Sequence, residues 1–363
     1  MYNMNIKPEV YNDTYYYLSK DLIKYPDAWC YAVYSRRDVG KTYGALNLFR
    51  EQDIKFVYMK RTNEDIDFIC SKNTLLSIDP SPFFPINRDK GCNIIPKLIK
   101  KGFGAFYKAD NEDNIIGKPI GYILSLNAVK RIKGYDLSEA DIMLFDEFIP
   151  QKGEIVKLSE GEMLLDAYMT ISRDRLERGR DPLKLILFAN AEEISTPITN
   201  TLEITDLIAD MKDKTHYYDT ERDILIHHIT EKEIPIKEIA RKGIFKGMYN
   251  TDWFDKSFGG EFSGNDFSNI VNMSLKNMQG MIKIIYKRKI YYIYYHPIKS
   301  IYYMTTSPCK CPYSYDLSKE NDQKKFYIDF GINLRIALSE SRFFFKYYSM
   351  YDLINHYKKY FDI

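Results

Sequence analysis

Length, composition and charge set the first limits on this protein. Its 363 residues, 45% of them hydrophobic, suffice for a sizeable core and for two domains. The net charge of +2 is too small to indicate an acidic partner. The five cysteines indicate reduced thiols, and the lone C-x-C at Cys309 and Cys311 is a weak metal signal. Without a signal segment or an apolar run of ~18–20 residues, we expect a soluble intracellular protein.

The first half of the chain alternates apolar strands with helical patterns. The predicted strands are 28–35, 54–61, 140–148 and 184–190, with a hairpin joining 105–110 to 119–125; the predicted helices begin at Lys41 and span 159–179. Because strands that read as continuous apolar runs are buried on both faces, we expect an α/β fold with a mostly parallel sheet flanked by helices.

The pattern changes after Asn190. A charged and less regular stretch follows, and residues 281–307 then read as adjacent strands rich in Tyr and Ile, ahead of a more helical C-terminus. We therefore predict an N-terminal domain over 1–195, a linker or lid over 196–245, and a smaller α+β domain over 246–363.

The stretch AVYSRRDVGKTYGALNLF, residues 32–49, matches a phosphate-binding loop except at its first glycine, where Ser35 stands. Such a loop binds phosphate through backbone N–H groups and a helix N-terminus. Lys41 would reach the β- and γ-phosphates of ATP, and Thr42 would bind Mg²⁺. The candidate nucleotide-binding residues are Ser35, Arg36, Arg37, Asp38, Val39, Gly40, Lys41 and Thr42. A strand–turn–helix with an exposed lysine is the alternative.

Two acids follow the apolar run IMLF and strengthen this interpretation. A buried strand that ends in Asp146 and Glu147 places an acid where a nucleotide-bound Mg²⁺ needs a ligand. Asp146 would hold the ion, and Glu147 would deprotonate the attacking water. Together with the loop, the pair indicates a P-loop NTPase of the additional-strand, catalytic-glutamate (ASCE) type.

Polar residues further along the chain are weaker candidates. Asn190 ends the strand KLILFAN and could sense the γ-phosphate, although it could also simply make a turn. Four arginines lie towards the end of the predicted helix over 159–179 or just after it: Arg173, Arg175, Arg178 and Arg180. They could form a solvated face, contact nucleic acid or supply an arginine finger to a neighbouring subunit.

These motifs, in this order, resemble a known family. The blocks SRRDVGKT, FVYMKR, LSLNAVKRIKGYDLSEADIMLFDEF, LLDAYMTISRDR and LILFANA are similar to the DNA encapsidation ATPases of phi-twenty-nine-like small tailed phages, which are related to large-terminase motors. The resemblance covers about residues 30–260. It implies ATP and Mg²⁺ as ligands, and ATP hydrolysis that moves double-stranded DNA into a procapsid.

The resemblance also implies roles for single residues. Asp146 and Glu147 match the Mg²⁺ and catalytic acids, and Asn190 lies in the motif that couples hydrolysis to movement. Arg173 matches a finger that acts across the subunit interface, and Lys133 a second residue that acts in trans. Lys60 and Arg61 match paired basic residues after the second strand, and Ser35 is the clearest departure from the pattern.

For the C-terminal part, the resemblance implies an RNase H-like domain without nuclease chemistry. Residues 281–307 contain no Asp or Glu, so a strand-borne acid for two-metal cleavage is missing. The basic run at 287–289 could contact DNA phosphates or could be a hairpin turn.

The partners implied by the resemblance are duplex DNA, bound through its backbone without sequence preference, a portal and procapsid, and further copies of the chain in a ring, a pentamer. The need for a packaging RNA stays open. The expected location is the host cytoplasm during virion assembly, docked on the portal, and not the mature virion.

Three alternatives remain from sequence alone: a terminase that also cuts DNA, a non-packaging phage ATPase such as a helicase loader, and a binding protein whose loop Ser35 has inactivated.

Overall fold

The computed structural model describes residues 4–72, 79–132, 134–150, 154, 156–190, 193–211, 214–236 and 265–361. These residues form two compact units, and the two units are considered separately below. The first contains the described residues up to 202 together with 211–236, and the second contains 203–210 together with 265–361.

The first unit is built on a sheet of nine strands among its described residues. In spatial order they are β3 (Ile94–Lys100), β4 (Phe103–Ala109), β5 (Ile115–Ser125), β2 (Phe56–Lys60), β6 (Ile142–Asp146), β7 (Lys184–Asn190), β1 (Cys30–Ser35), β9 (Ile224–Ile229) and β8 (His216–Asp219). The neighbours from β5 through β9 pair in parallel, whereas β3, β4 and β8 add antiparallel edges. The predicted mostly parallel sheet and its hairpin are confirmed.

Helices complete this unit. They are α1 (Leu18–Lys24), α2 (Lys41–Glu51), α3 (Asn63–Ile69), α4 (Phe84–Lys90), α5 (Glu160–Ile171) and α6 (Pro197–Thr201), with a 3₁₀ helix at Leu126–Arg131. Ile186 and Phe188 of β7 share a core cluster with Leu18 of α1. The alternate residues Leu185 and Leu187 are equally buried. Because successive side chains of a strand point to opposite faces, both faces of the sheet are covered.

The segment 196–245, predicted to be a linker or lid, supplies two strands of the first sheet where it is described, β8 and β9, while residues 203–210 belong to the second unit. β9 pairs in parallel with β1, and β8 with β9. The sequence analysis did not predict β9, ILIHHI, because His227 and His228 interrupt its apolar run. Both histidines are nevertheless buried. His227 is accommodated by hydrogen bonds to Asp21 and Glu233, which satisfy both ring nitrogens.

The predicted helix over 159–179 is also shorter than expected. α5 ends at Ile171, and turns follow through Gly179, with Asp174 in the left-handed region at φ 58°. The turns let Arg175 fold back into the protein, where its guanidinium donates to the carbonyls of Ser138 and Asp181. A helical pattern in sequence cannot reveal such a buried arginine.

The second unit carries five strands among its described residues. Their order is β13 (Tyr313–Asp316), β10 (Gln279–Tyr286), β11 (Lys289–His296), β12 (Ile301–Thr305) and β14 (Phe343–Phe345). β10, β11 and β12 are antiparallel, whereas β13 pairs in parallel with β10, and β14 with β12. The strands predicted in 281–307 are confirmed. Lys287 and Arg288, at φ 46° and 64°, form the tight turn of a hairpin, as one of the two interpretations held.

Helices of the second unit lie mostly at the C-terminus, as predicted. They are α7 (Thr205–Ala209), α8 (Glu320–Phe326), α9 (Ile332–Ser339), α10 (Tyr348–Asn355) and α11 (Tyr357–Phe361), with a π-helical turn between α8 and α9. The Asp206 carboxylate of α7 accepts hydrogen bonds from the backbone N–H and the hydroxyl of Ser349, which joins α7 to α10. Among the described residues, no helix has both the length and the apolar character needed to cross a membrane.

Candidate nucleotide-binding site

The predicted phosphate loop connects β1 directly to α2. Gly40 caps α2 with φ 80°, a conformation that favours glycine. A Cβ at this position would lie 2.9 Å from Cδ1 of Tyr15, so neighbouring packing also requires glycine. The Tyr16 N–H donates to the Val39 carbonyl at 2.9 Å. The segment before α1 therefore fixes the outside of the loop.

Lys41 starts α2, and its side chain is buried beside Ser35. The Lys41 ammonium donates a hydrogen bond to the Ser35 hydroxyl, which in turn donates to the Arg36 carbonyl at 2.6 Å. Burial lowers the pKa of Lys41 to about 8, against the opposing effect of the nearby acids. Ser35, the departure from the usual pattern, therefore orients the lysine.

Thr42 and Asp146 meet at the carboxyl edge of the sheet. The Thr42 hydroxyl donates to Asp146 Oδ1 at 3.1 Å, although 104 residues separate the two in sequence. The Tyr58 hydroxyl of β2 donates to Asp146 Oδ2 at 2.8 Å and holds the carboxylate in place. The sequence analysis did not identify Tyr58; its only signal was its position in a strand beside the acid strand.

Glu147 immediately follows β6 in the left-handed region, at φ 56°. Its side chain is 54% exposed, and its carboxylate accepts from Lys60 Nζ at 2.7 Å. Lys60 Nζ also lies 3.3 Å from Asp146 Oδ2. Burial acts to lower the pKa of Lys60, but Tyr58, Asp146 and Glu147 more than offset this effect, so the pKa is raised. The lysine is therefore charged and paired with both acids.

Lys41, Thr42 and the two acids line one open cavity of about 320 Å³. Its lining comprises 37–43 of the loop and α2, both acids, and 188–190 at the end of β7. Asn190 is opposite Ser35 in the β1–β7 register, so it lies at the same sheet edge as the loop. A cavity of this size, with a few converging polar groups, is typical of a small-molecule site.

Two arginines near the loop are buried and bonded to other parts of the protein. Arg36 is buried and donates to the Pro235 carbonyl at 2.8 Å, rather than lining the cavity. Arg61 is also buried; it pairs with Glu154 and Glu160 and donates to the Phe148 carbonyl. Arg61 thus fixes the segment that follows the candidate catalytic acid.

The arginines after α5 differ in burial and in their partners. Arg175 is 1% exposed and pairs with Asp141 at 2.9 Å, so its role is structural. Arg178 pairs with Asp136 at 3.0 Å. Arg173 is exposed and lines a separate cavity of about 230 Å³, so it does not join the loop of its own chain. Lys133 lies outside the described residues.

Neither a family model nor a curated protein matches this sequence. The structure, in contrast, is similar to solved phage DNA-packaging machinery. It matches the Phi-28 gp11 DNA packaging motor with a TM-score of 0.58 and 16% identity, over 95% of this chain and 97% of that one. It matches the bacteriophage Phi-29 viral genome packaging motor assembly with a TM-score of 0.64 and 17% identity, over 96% and 99%.

Fold and site together describe a two-unit α/β protein with a cavity, lined by Lys41 and two acids, at the carboxyl edge of its larger sheet. At these identities the likeness establishes the fold, which is that of the phage DNA-packaging motors along nearly the whole chain. The resemblance inferred from the sequence motifs is confirmed at this level.

Proposed function

We propose that this protein is an ASCE-type P-loop ATPase that drives double-stranded DNA into a viral procapsid. The observation that carries the proposal is the meeting of Thr42 and Asp146, 3.1 Å apart, beside the buried Lys41. This is the arrangement needed for Mg²⁺ and a triphosphate at one sheet edge. The fold shared with packaging motors supports the translocation of DNA as the use of this hydrolysis.

The residues present fit Mg²⁺ and ATP. Thr42 Oγ1 and the Asp146 carboxylate supply the hard oxygen donors that Mg²⁺ prefers, and Lys41 supplies a charge for phosphate. When bound, Mg²⁺ neutralises charge on the β- and γ-phosphates. The loop N–H groups bind phosphate oxygens, and Lys41 exchanges its bond to Ser35 for one to the nucleotide.

Glu147 and Asn190 complete the reaction centre. Glu147 takes the proton of the attacking water, and its side chain is exposed enough to meet that water. Its pairing with Lys60 must first be released, because the carboxylate oxygen that accepts from Lys60 is then free to accept the proton of the water. Asn190, at the end of β7, contacts the γ-phosphate and relays its loss to the sheet edge.

The site is completed by a neighbouring subunit of a ring. Arg173 is exposed and lies in a different cavity from its own loop, as a residue that serves the neighbouring site must. As a finger it stabilises transition-state charge, an effect worth ~10³–10⁵ in rate. Lys133 is its companion in trans by resemblance, and a pentamer is the expected ring.

The second unit serves as a DNA-gripping or docking domain of RNase H-like type without nuclease activity. Three antiparallel strands with a fourth parallel to the first support that fold. β10 carries no acid, which supports the loss of cleavage. In this proposal the ring docks on the portal of the procapsid in the host cytoplasm and is absent from the mature virion. It contacts DNA through the phosphate backbone, and a packaging RNA is a further candidate partner.

The first experiment is ATP hydrolysis by purified protein, with and without long duplex DNA. Wild type is compared with Glu147→Gln and with Glu112→Gln, an exposed glutamate on the β4–β5 hairpin, as the matched control. Duplex-stimulated turnover that only Glu147→Gln abolishes supports the proposal. Stimulation by single strands alone favours the helicase-loader alternative, and metal-dependent nicking of plasmid favours the terminase. Assembled rings that bind no ATP would favour the binding protein.

A further inference from the structure

A second polar cluster lies outside the nucleotide cavity, where α1 meets β8 and β9. Asp21, His216 and His227 come from these three elements, and Asp21 and His227 are each only 2% exposed. The proposed ATPase mechanism uses none of them. We propose that these three side chains bind a transition-metal ion, with Zn²⁺ the best match.

Distances within the cluster suit a single ion. One ligand atom from each residue can be chosen so that all three lie within 4.8 Å of one another. His227 Nδ1 is 2.7 Å from Asp21 Oδ2, and His216 Nε2 is 3.5 Å from Asp21 Oδ1. Ligands held at ~2.0–2.1 Å around a tetrahedral Zn²⁺ are about 3.3 Å apart. The two distances, which run to different oxygens of Asp21, bracket this value. The two imidazole rings are stacked with their centroids 3.8 Å apart, so they would have to turn for both nitrogens to face one ion.

Each ligand also has a partner that orients it. The second nitrogen of His227 bonds Glu233 at 2.9 Å, and the second nitrogen of His216 lies 3.0 Å from the Thr215 hydroxyl. The Tyr16 hydroxyl donates to Asp21 Oδ2 at 2.8 Å. Carboxylate or hydroxyl groups that fix metal-bound histidines in this way are the usual outer shell of zinc sites.

Charge and space favour a cation with two nitrogen ligands. The adjoining cavity, about 140 Å³, gives room for water as a fourth ligand. Its lining includes three carboxylates against two lysines, and these are Asp13, Asp21 and Glu233 against Lys20 and Lys24. The lysines lie over the rings of Tyr11 and Tyr25, at 4.9 and 5.2 Å. Imidazole ligands select Zn²⁺ and its transition-metal neighbours over Mg²⁺ or Ca²⁺.

Such an ion would be structural, and it would affect the phosphate loop indirectly, through a residue that contacts both. Tyr16 joins the two sites, since its hydroxyl bonds Asp21, its ring packs edge-on against His227 at 5.6 Å, and its N–H bonds the Val39 carbonyl. An ion that fixes α1 to β8 and β9 would therefore stabilise the support of the loop.

The test uses Co²⁺ alone as a visible probe, with the metal-stripped full chain, excess Mg²⁺ to fill oxygen-only sites, and no nucleotide. The background is Cys309→Ser/Cys311→Ser, because those thiols are close enough to compete for the ion. We expect one Co²⁺ per chain, displaced by Zn²⁺, with a spectrum that lacks thiolate bands. His216→Ala should weaken binding at least about tenfold. His296→Ala, in β11 of the second unit, is the matched control and should bind like the background protein.

Thermal unfolding of the same proteins distinguishes a loss of metal binding from a failure to fold. His216 is partly exposed, so His216→Ala should still fold. Zn²⁺ should raise the melting temperature of the background protein and of the His296→Ala control but not that of His216→Ala. Absence of stoichiometric Co²⁺ and Zn²⁺ binding, or equal binding by His216→Ala, would overturn the proposal and leave a hydrogen-bonded network around His227.

Discussion

Lys60 Nζ lies 2.7 Å from the carboxylate of Glu147, so the proposed catalytic base is held by the strand next to its own. The same ammonium lies 3.3 Å from Asp146. The three groups form one charge network at the ends of β2 and β6. Because the ammonium occupies an oxygen of Glu147 that would otherwise accept the proton of the water, the structure corresponds to a restrained state of the site.

Removal of the Lys60 charge should therefore increase hydrolysis without DNA. Glu147 is half-exposed, so the pair is worth at most about 1 kcal/mol, which corresponds to about a fivefold rise in basal turnover for Lys60→Met. The ratio of DNA-stimulated to basal rate should fall accordingly. Steady-state ATPase assays measure both rates, with Lys118→Met, an exposed lysine on β5, as control. An unchanged ratio would show that Lys60 does not restrain Glu147.

Lys41→Ala should abolish tight ATP binding. The lysine is buried at the start of α2, and no other described lysine lines the cavity. A charge-assisted hydrogen bond to phosphate is worth ~1.5–3 kcal/mol, so affinity should fall about tenfold to a hundredfold. Titration with a fluorescent ATP analogue measures the loss. Retained affinity would contradict the loop assignment.

Ser35 allows a finer test of the same loop. Its hydroxyl orients Lys41, and the position usually holds glycine. We expect Ser35→Gly to bind ATP within a fewfold of wild type, because the nucleotide itself then orients the lysine. The same titration serves here. A loss as large as that of Lys41→Ala would mean that the serine contacts the nucleotide directly.

Arg175 should matter for stability and not for chemistry. Its guanidinium is buried against Asp141 and the carbonyls of Ser138 and Ala140. Removal leaves Asp141 without its buried partner and the Ala140 carbonyl without the Arg175 donor, so Arg175→Ala should lower the free energy of unfolding by about 3 kcal/mol or more. Urea denaturation compares it with Arg178→Ala, whose exposed pair should change stability little. Equal stability of the two variants would refute the structural role.

The sequence predicts which candidate residues converge at one sheet edge better than it predicts the contacts around them. The loop, the acids and Asn190 follow from strands that end in polar residues, and parallel pairing brings those ends together. Tyr58 was not identified, and Lys60 was named only through the family resemblance, because their contacts with the acids depend on which strand lies beside β6. β9 was missed because two histidines interrupt its apolar run, and the bonds from His227 to Asp21 and Glu233 that allow its burial form only in the folded chain. Contacts between residues distant in sequence determine the pairing of side chains and the burial of polar strands, which local sequence patterns do not specify.

Arg173 gives the prediction that separates a ring from an independent enzyme. It is exposed on the turns after α5 and lies outside the cavity of its own loop. Arg173→Ala should therefore lose most DNA-stimulated turnover while it still binds ATP, because in the proposed ring ATP binds to the subunit's own loop and its hydrolysis needs a neighbour's arginine.

Mixing provides the decisive measurement. Glu147→Gln subunits keep Arg173, and Arg173→Ala subunits keep Glu147, so a mixed ring contains interfaces where an intact Glu147 meets an intact Arg173. We expect ATPase activity to reappear on mixing and to peak at intermediate ratios, whereas each variant alone stays inactive. Mixing Arg173→Ala with Lys41→Ala should give the same rescue, since that partner also supplies the arginine. If turnover is absent at every ratio in rings confirmed to be mixed, Arg173 does not act across the interface.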